Sequence, residues 1–405
     1  MVSVKVCVLA GATAAGLLIG LAGCSSGHQP GAAAQPSGPA SSGRSQVHNS
    51  AVPAGSVPTR PIGGPVPRGF AATSVTFASA DEAFVLGTAP CAAPPCTSIV
   101  RTLDRGASWR GLPAPVAPVS QLGLSSGPDV WGIRFATKAR GFVFGNGLWE
   151  TTDGGEHWGH DARPGGSILA LAALDGQLLA LTARCPPGNG CGRGRLLRRP
   201  LGGGSWSTVA TIPIAGSTDP VDMIATSAGT AALLDGTNVL VTGDGGRSVS
   251  VHRTPCTALG FDIATSVAVR SPRGLALLCI GQGYTGHTDK RVYLSDDSGA
   301  RWTRAGRPNS EGDGGTIAAA TSRRLVIATA SAASWLFRSG DAAASWQTVR
   351  TEDDGGMGWS DIGFTTSFDG VVVHGPAHSD GNSDHRPGQL LLSSNGGATW
   401  QRARF

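Results

Sequence analysis

One short turn recurs seven times along this chain, and its spacing limits what the chain can fold into. The pattern is Ser/Thr-x-Asp-x-Gly-x-x-Trp. It is complete at Thr102–Trp109, Thr151–Trp158 and Ser295–Trp302. Near copies lie at Ser339–Trp346, with Ala343 for the Gly, and at Ser393–Trp400, with Asn395 for the Asp. Two copies are eroded: Thr242–Val249 keeps Asp244 and loses the Trp, and Arg199–Trp206 has Leu201 for the Asp. The copies end at 109, 158, 206, 249, 302, 346 and 400, in steps of 43 to 54 residues. That period belongs to repeat architectures, in which each unit buries its apolar surface against its neighbours.

The residues between the turns supply four short strands per repeat. In the first repeat they are Ala71–Ala78, Ala83–Gly87, Thr97–Thr102 and Ser108–Leu112. The position two residues before each turn is apolar in all seven copies: Val100, Trp149, Leu197, Leu240, Tyr293, Phe337 and Leu391. Period-two strands with Gly/Asp punctuation, four to a repeat, predict an all-β fold, a single seven-bladed β-propeller of four-stranded antiparallel blades. The blades are expected near 67–113, 114–163, 164–212, 213–255, 256–306, 307–351 and 352–405.

The first residues address the chain. Lys5 precedes an apolar stretch, Val6–Gly20, too short to span a bilayer. It ends in Leu21-Ala-Gly-Cys24, which resembles the lipobox of bacterial lipoproteins. The resemblance implies a signal peptide over 1–23 and a diacylated Cys24. Two acyl chains give stable membrane attachment. Residues 24–66 are rich in Gly, Pro, Ser and Ala, and read as a tether spanning roughly 35 Å. The expected location is the extracytoplasmic face of the cell membrane.

Six cysteines remain beyond Cys7 and Cys24. In an exported chain an even set implies disulfides. Cys91–Cys96 and Cys185–Cys191 are local pairs, which leaves Cys256–Cys279. No pair has the CxxC spacing of a metal site, and no metal or other cofactor is expected. The formal net charge is +5, with only three lysines, Lys5, Lys138 and Lys290. No basic run with interleaved aromatics appears, so nucleic acid is not an expected partner.

The turn residues have structural work to do. An Asp accepts hydrogen bonds across a bend, Gly takes positive φ and Trp wedges beside the hairpin. Asp104, Trp109, Asp153, Trp158, Asp244, Asp297, Trp302, Asp341, Trp346 and Trp400 are therefore assigned to structure. The motif resembles the Asp-box, or bacterial neuraminidase repeat, of sialidases, glycanase propellers, sortilin-type receptors and seven-bladed photosystem II assembly factors. The resemblance implies a propeller over 67–405 and leaves function open, because these families share turns and not chemistry. Sialidases need an arginine triad and a Tyr nucleophile with a Glu partner. Here Arg60-Pro-Ile lies in the tether, Tyr293 is a packing position and Tyr284 has no adjacent Glu. Xyloglucanases of this resemblance set a cleft between two propellers, and this chain has one.

Strand order places the Asp turns on one face and the connections between second and third strands on the other. Those connections are long in blades 1, 3, 5 and 7: Thr88–Thr97, Ala183–Gly194, Gly281–Lys290 and His374–Pro387. All three cysteine pairs map to this side, which suggests a shaped recognition surface. His374, His378, Asp380 and His385 in the blade 7 loop are ligand candidates; the spacing matches no metal motif. Trp131, Arg134, Trp359 and Asp361 are candidates at the axial mouth, or anchors of the innermost strands. The expected function is a membrane-anchored, monomeric, non-catalytic propeller that binds an envelope protein or glycan. The alternative is a glycoside hydrolase with two carboxylates on that face.

The lipobox reading makes a direct prediction. Cys24→Ala shifts the protein out of the membrane fraction or leaves it unprocessed. A variant that partitions into detergent like its parent refutes the anchor.

Overall fold

The computed structural model describes residues 63–120, 127–161, 164–186, 191–212, 223–225, 229–234, 237–256, 263–375 and 388–405. All belong to the compact unit Arg60–Phe405. Cys24, His378, Asp380 and His385 lie outside the described residues.

Among the described residues twenty-eight strands form seven four-stranded antiparallel sheets, and no α-helix occurs. Blade 1 holds β1 (Ala71–Phe77), β2 (Ala83–Thr88), β3 (Thr97–Thr102) and β4 (Arg110–Leu112). Blade 2 holds β5 (Val130–Phe135), β6 (Gly141–Gly145), β7 (Leu148–Thr151) and β8 (Gly159–His160). Blade 3 holds β9 (Ser167–Leu174), β10 (Gln177–Ala183), β11 (Gly194–Pro200) and β12 (Ser207–Ile212). Blade 4 holds β13 (Met223–Ala225), β14 (Ala231–Leu234), β15 (Asn238–Thr242) and β16 (Ser250–Arg253). Blade 5 holds β17 (Ile263–Val269), β18 (Leu275–Tyr284), β19 (His287–Ser295) and β20 (Thr303–Arg304). Blade 6 holds β21 (Asp313–Ala319), β22 (Leu325–Ala330), β23 (Ser334–Ser339) and β24 (Gln347–Glu352). Blade 7 holds β25 (Trp359–Phe364), β26 (Gly370–His374), β27 (Gln389–Ser393) and β28 (Gln401–Arg402). The first strand of each blade meets the first strand of the next, and β1 meets β25, so the ring closes.

The core is a series of seams between blades. Each wedge Trp joins the apolar cluster its blade shares with the blade before it. Trp109 packs with Val371, Val373 and Leu390 of blade 7. Trp158 packs with Leu112 and Phe135, Trp302 with Val239 and Val241, Trp346 with Leu278 and Trp400 with Val326 and Leu336. The seven apolar positions two residues before the turns are all buried, from Val100 at 0% exposure to Trp149 at 8%. The turn glycine is required where the blades touch: at Gly106, φ is +88° and an added Cβ would lie 2.4 Å from Leu392 of blade 7.

The eroded copies show what the missing residues did. Blade 4 has Val249 where the wedge belongs, and a small cavity of about 10 Å³, room for about one water, lies there between blades 3 and 4, lined by Leu179, Leu196, Leu233, Leu240 and Val249. Blade 3 lacks the Asp and substitutes cations. Arg199, 4% exposed along its side chain, pairs with Asp161 (2.6 Å) and Glu150 (3.2 Å) of blade 2 and stacks 4.9 Å from the Trp206 ring. Arg140 of blade 2 donates to the Leu201 carbonyl and pairs with the same Glu150 at 3.1 Å.

No strand is exchanged at the closing seam. Residues of blades 1 and 7 seal it instead. Phe70 and Trp109 each meet the ring of Phe405 edge-on, at 4.9 and 5.1 Å. Ala72 N donates to Gly388 O at 2.9 Å. Gly64 exchanges both backbone bonds with Gly111, each 3.0 Å, and adds an extra bridge outside β4.

In the blade 6 turn, Ala342 and Ala343 hold φ of +62° and +64°, where blade 4 has Gly245 and Gly246. A left-handed conformation costs an L-residue about 1–2 kcal/mol. Ala342→Gly is therefore expected to raise the unfolding free energy by about 1 kcal/mol, and Gly245→Ala, whose Cβ meets only ordinary contacts, to lower it by a similar amount. Urea unfolding of the two variants checks the sign.

Candidate functional site

The Asp turns and the first hairpin turns share one face and bind each other there. In all seven blades an N–H of the outer turn donates to a carbonyl of the inner one. The pairs are Arg105 to Asp81, Gly154 to Ala139, Leu201 to Gly176, Gly245 to Gly229, Ser298 to Arg273, Ala342 to Arg323 and Gly396 to Phe368. Within blade 1, Thr102 Oγ1 donates to Asp104 Oδ1 (2.8 Å) and accepts from Gly106 N (2.8 Å), while Asp104 accepts from Ser108 N (2.8 Å) and Ser108 Oγ (2.5 Å). Blades 2, 4, 5 and 6 repeat the scheme on Asp153, Asp244, Asp297 and Asp341. Asn395 keeps it with the last bond reversed, its Nδ2 donating to Thr399 Oγ1 at 2.8 Å. Asp153, Glu156 and His157 bring potential ligand atoms within 4.8 Å of one another. His157 there pairs with Asp153 at 2.7 Å, in the place Ser108 holds in blade 1.

These bonds favour the ionised carboxylates. The Ser248 N–H holds Asp244 at about 2, and the Ser345 hydroxyl holds Asp341 at about 2.

The opposite face carries the stapled connections. Cys91–Cys96 closes the blade 1 loop, Cys185–Cys191 the blade 3 loop, and Cys256–Cys279 ties the link from blade 4 to β18. In blade 5 the stretch Gly281–Lys290, expected as a long loop, is instead mostly strand. β18 and β19 run on as a hairpin and pair out to Tyr284 and His287. The hairpin leans on the link to blade 6: Thr288 N donates to Ser310 O (2.9 Å) and Gly312 N to Gly286 O (3.0 Å).

Lys290 locks that contact. It is 1% exposed. Its ammonium donates to Gly312 O (2.7 Å), Ser310 O (2.9 Å), Glu311 O (3.0 Å), Thr288 Oγ1 (3.0 Å) and Thr288 O (3.3 Å). Burial pushes it down to about 8 against the pull of Asp313, Glu311 and Asp289, so it keeps its charge at neutral pH. Sequence reasoning passed over this residue. The scarcity of lysine in the chain was the only signal.

The axial candidates are brought together, and they hold the ring. Asp361, at φ +47°, accepts from Val75 N of blade 1 (2.9 Å) and pairs with Arg134 of blade 2 (3.3 Å). Arg134 also donates to Ile133 O (2.7 Å) and Val75 O (3.4 Å). The same stitch recurs between other inner strands: Ile133 N donates to Ser74 Oγ at 3.2 Å and Ile317 N to Ser266 Oγ at 3.1 Å. Side chains thus satisfy N–H groups on edges that no strand covers. Trp131 packs into the seam between blades 2 and 3. Trp359 packs into that between blades 6 and 7 and donates to Thr329 O at 3.1 Å.

His374 was expected in the blade 7 loop. It is the last residue of β26, 4% exposed, because its ring pairs at 2.5 Å with the buried Asp354. Asp354 also accepts from Ser334 Oγ (2.8 Å) and Gly356 N (2.8 Å). Burial pushes its carboxyl up, yet the Gly356 N–H, His374 and Ser334 together hold it below its ordinary value.

No known family model matches the chain, and no characterised protein matches it in sequence. Solved structures do match in fold. YCF48 bound to D1 peptide superposes with a TM-score of 0.55 at 16% identity, over 82% of this chain and 95% of that one. YCF48 from Cyanidioschyzon merolae gives 0.54 at 15%, over 82% and 98%. The GH74 xyloglucanase from Xanthomonas campestris reaches only 0.29 at 14%, over 82% and 72%. At these identities the likeness is one of fold, that of a β-propeller.

Two predictions follow from the electrostatics. A carboxylate whose folded pKa is depressed stabilises above its unfolded value near 3.9, and that contribution is lost as pH falls through the folded value. The stability gap between the parent and Asp341→Asn should therefore be full at pH 6, shrink below about pH 4 and close near pH 2, read from urea midpoints. Lys290→Met removes the donor from five acceptors, of which Gly312 O is buried, and should cost about 3 kcal/mol. A cost below about 1 kcal/mol would show that water replaces the ammonium.

Proposed function

We propose that the protein is a lipid-anchored, exported scaffold that binds an envelope protein or glycan on the face opposite the Asp turns, without catalysis. The observation that carries this reading is the bracing of that face. Three disulfides and the Lys290 lock fix its connections. The Cys185–Cys191 and Cys256–Cys279 staples are rooted in the apolar seams that flank blade 4, while the Cys91–Cys96 loop and the blade 5 hairpin tip reach solvent. Rigid projecting elements on an ordered ring suit recognition, since pre-organisation lowers the entropy cost of binding. A protein partner is favoured over a glycan by the likeness in fold to YCF48, solved with a D1 peptide bound.

The states of Asp361 at the axis, Asp354 in the link between blades 6 and 7 and Glu352 on the outer strand β24 support binding over hydrolysis. A glycosidase acid needs a raised pKa. Asp361 is engaged by Val75 and Arg134. Glu352 is pushed up by burial but held low overall by Arg350 and Arg402, and Asp354 is held low as above.

Photo-crosslinkers placed in intact cells test the face. A group at Thr285, on the exposed hairpin tip, should capture one partner, identified by mass spectrometry. A group at Leu103, 50% exposed in an Asp turn, should not. Capture at Leu103 alone, or cleavage of envelope glycan by the purified protein, would sink the proposal.

A further inference from the structure

Outer strands of a propeller blade present unpaired backbone groups, and such edges are normally short, charged or covered. Most edges here follow the rule. β8, β20 and β28 are two residues long. β4 has three and is bridged by Gly64. β16 has four, and the six-residue β24 carries Arg350 and Glu352. β12 breaks it. Ser207-Thr-Val-Ala-Thr-Ile212 is six residues long, free of charge and proline, and rich in β-branched side chains. It is the last strand of its sheet, and no described residue pairs with its outer side. Ser207, Thr208 and Thr211 are exposed.

The strand behind this edge is strongly basic. Arg195 lies opposite Thr211 and Arg198 opposite Ser207. Arg193 is one alternation from Arg195, and both are exposed. Arg184 is exposed as well, on the other arm of the stapled loop, where its carbonyl accepts from Gly192 N at 2.8 Å. Arg195 donates to the carbonyls of Pro164 and Gly165, each at 3.3 Å. Among the described residues none of these four guanidiniums has a carboxylate partner.

We infer that β12 is a docking edge for an extended acidic peptide segment, which adds to blade 3 as a fifth strand. Blade 1 shows that an outer edge of this ring can take further backbone bonds: Gly64 forms an isolated antiparallel bridge to Gly111 with both bonds made. A fifth strand would lie roughly 10 Å from β11, two strand spacings, within joint reach of an arginine and a glutamate on one face. Backbone bonds would supply affinity and the arginines the preference for acid. Charge also selects against a second copy of this chain, because pairing two β12 edges would bring like guanidiniums together. The edge lies on the rim of the ring, so the inference does not rest on the reading of the braced face.

The test uses the full chain and a labelled peptide of alternating Val and Glu, with its Val/Lys counterpart as control. The acidic peptide should bind and slow amide exchange over 207–212, and the lysine peptide should do neither. Arg195→Glu and, separately, Arg193→Glu should weaken binding at least tenfold, with unchanged unfolding midpoints. Equal binding by the charge-reversed variants, protection mapped elsewhere, or no binding at millimolar peptide overturns the inference. So does self-association that Arg195→Glu strengthens, or binding to phosphatidylglycerol vesicles in place of the peptide.

Discussion

The ring depends on a single recurring contact, the wedge at the end of each Asp turn pressed into the preceding blade. A four-stranded blade has two faces and no core of its own, so it is stable only as part of the stack. The wedge sits where the outer hairpin turns back, and the Asp holds that turn in shape. The docking of every outer turn on the inner turn of its own blade makes the sheet one rigid plate. Turn geometry and seam packing are thus a single device. Loss of either member has a visible consequence: blade 4, without its Trp, has a cavity at the seam, and blade 3, without its Asp, recruits Arg140 and Arg199.

Closure places a different demand on the chain. Consecutive blades are covalently linked, but blades 7 and 1 are not, and no strand crosses between them. The seam is held by the wedge, by the rings of Phe70 and Phe405, and by Asp361 at the axis. That aspartate does at the closing seam what Ser74 and Ser266 do at ordinary ones. A charged acceptor also recruits Arg134, so one ion pair ties blades 7, 1 and 2.

The fold was legible in the sequence because the turn is both local and repeated. Ser/Thr, Asp and Gly at fixed offsets specify hydrogen bonds within one turn, and a residue of the right type is enough to infer them. The apolar position two before each turn was equally readable, even in eroded copies such as Leu197 and Leu240. The site was far less so. Arg134 and Asp361 are 227 residues apart, and no spacing rule announces that they will satisfy each other. His374 looked like part of a polar loop, and only the position of Asp354, twenty residues earlier in the link between β24 and β25, engages it. Lys290 illustrates the same limit. Its partners are backbone carbonyls, which every sequence possesses and none advertises.

These pairings bear on where recognition can reside. A polar side chain near the axis is an attractive ligand candidate until its partners are known. Here Arg134, Asp361 and His374 each meet a protein group that would be left buried and unpaired if a ligand took its place. Displacing them would cost the ring its stitches. Groups at the periphery carry no such obligation. The hairpin tip of blade 5 projects from a locked base, and the arginines of blade 3 face solvent without acidic partners among the described residues. In a closed ring whose inner polar groups hold it together, the elements left free for the proposed binding are those that reach solvent, at the rim and at the hairpin tip.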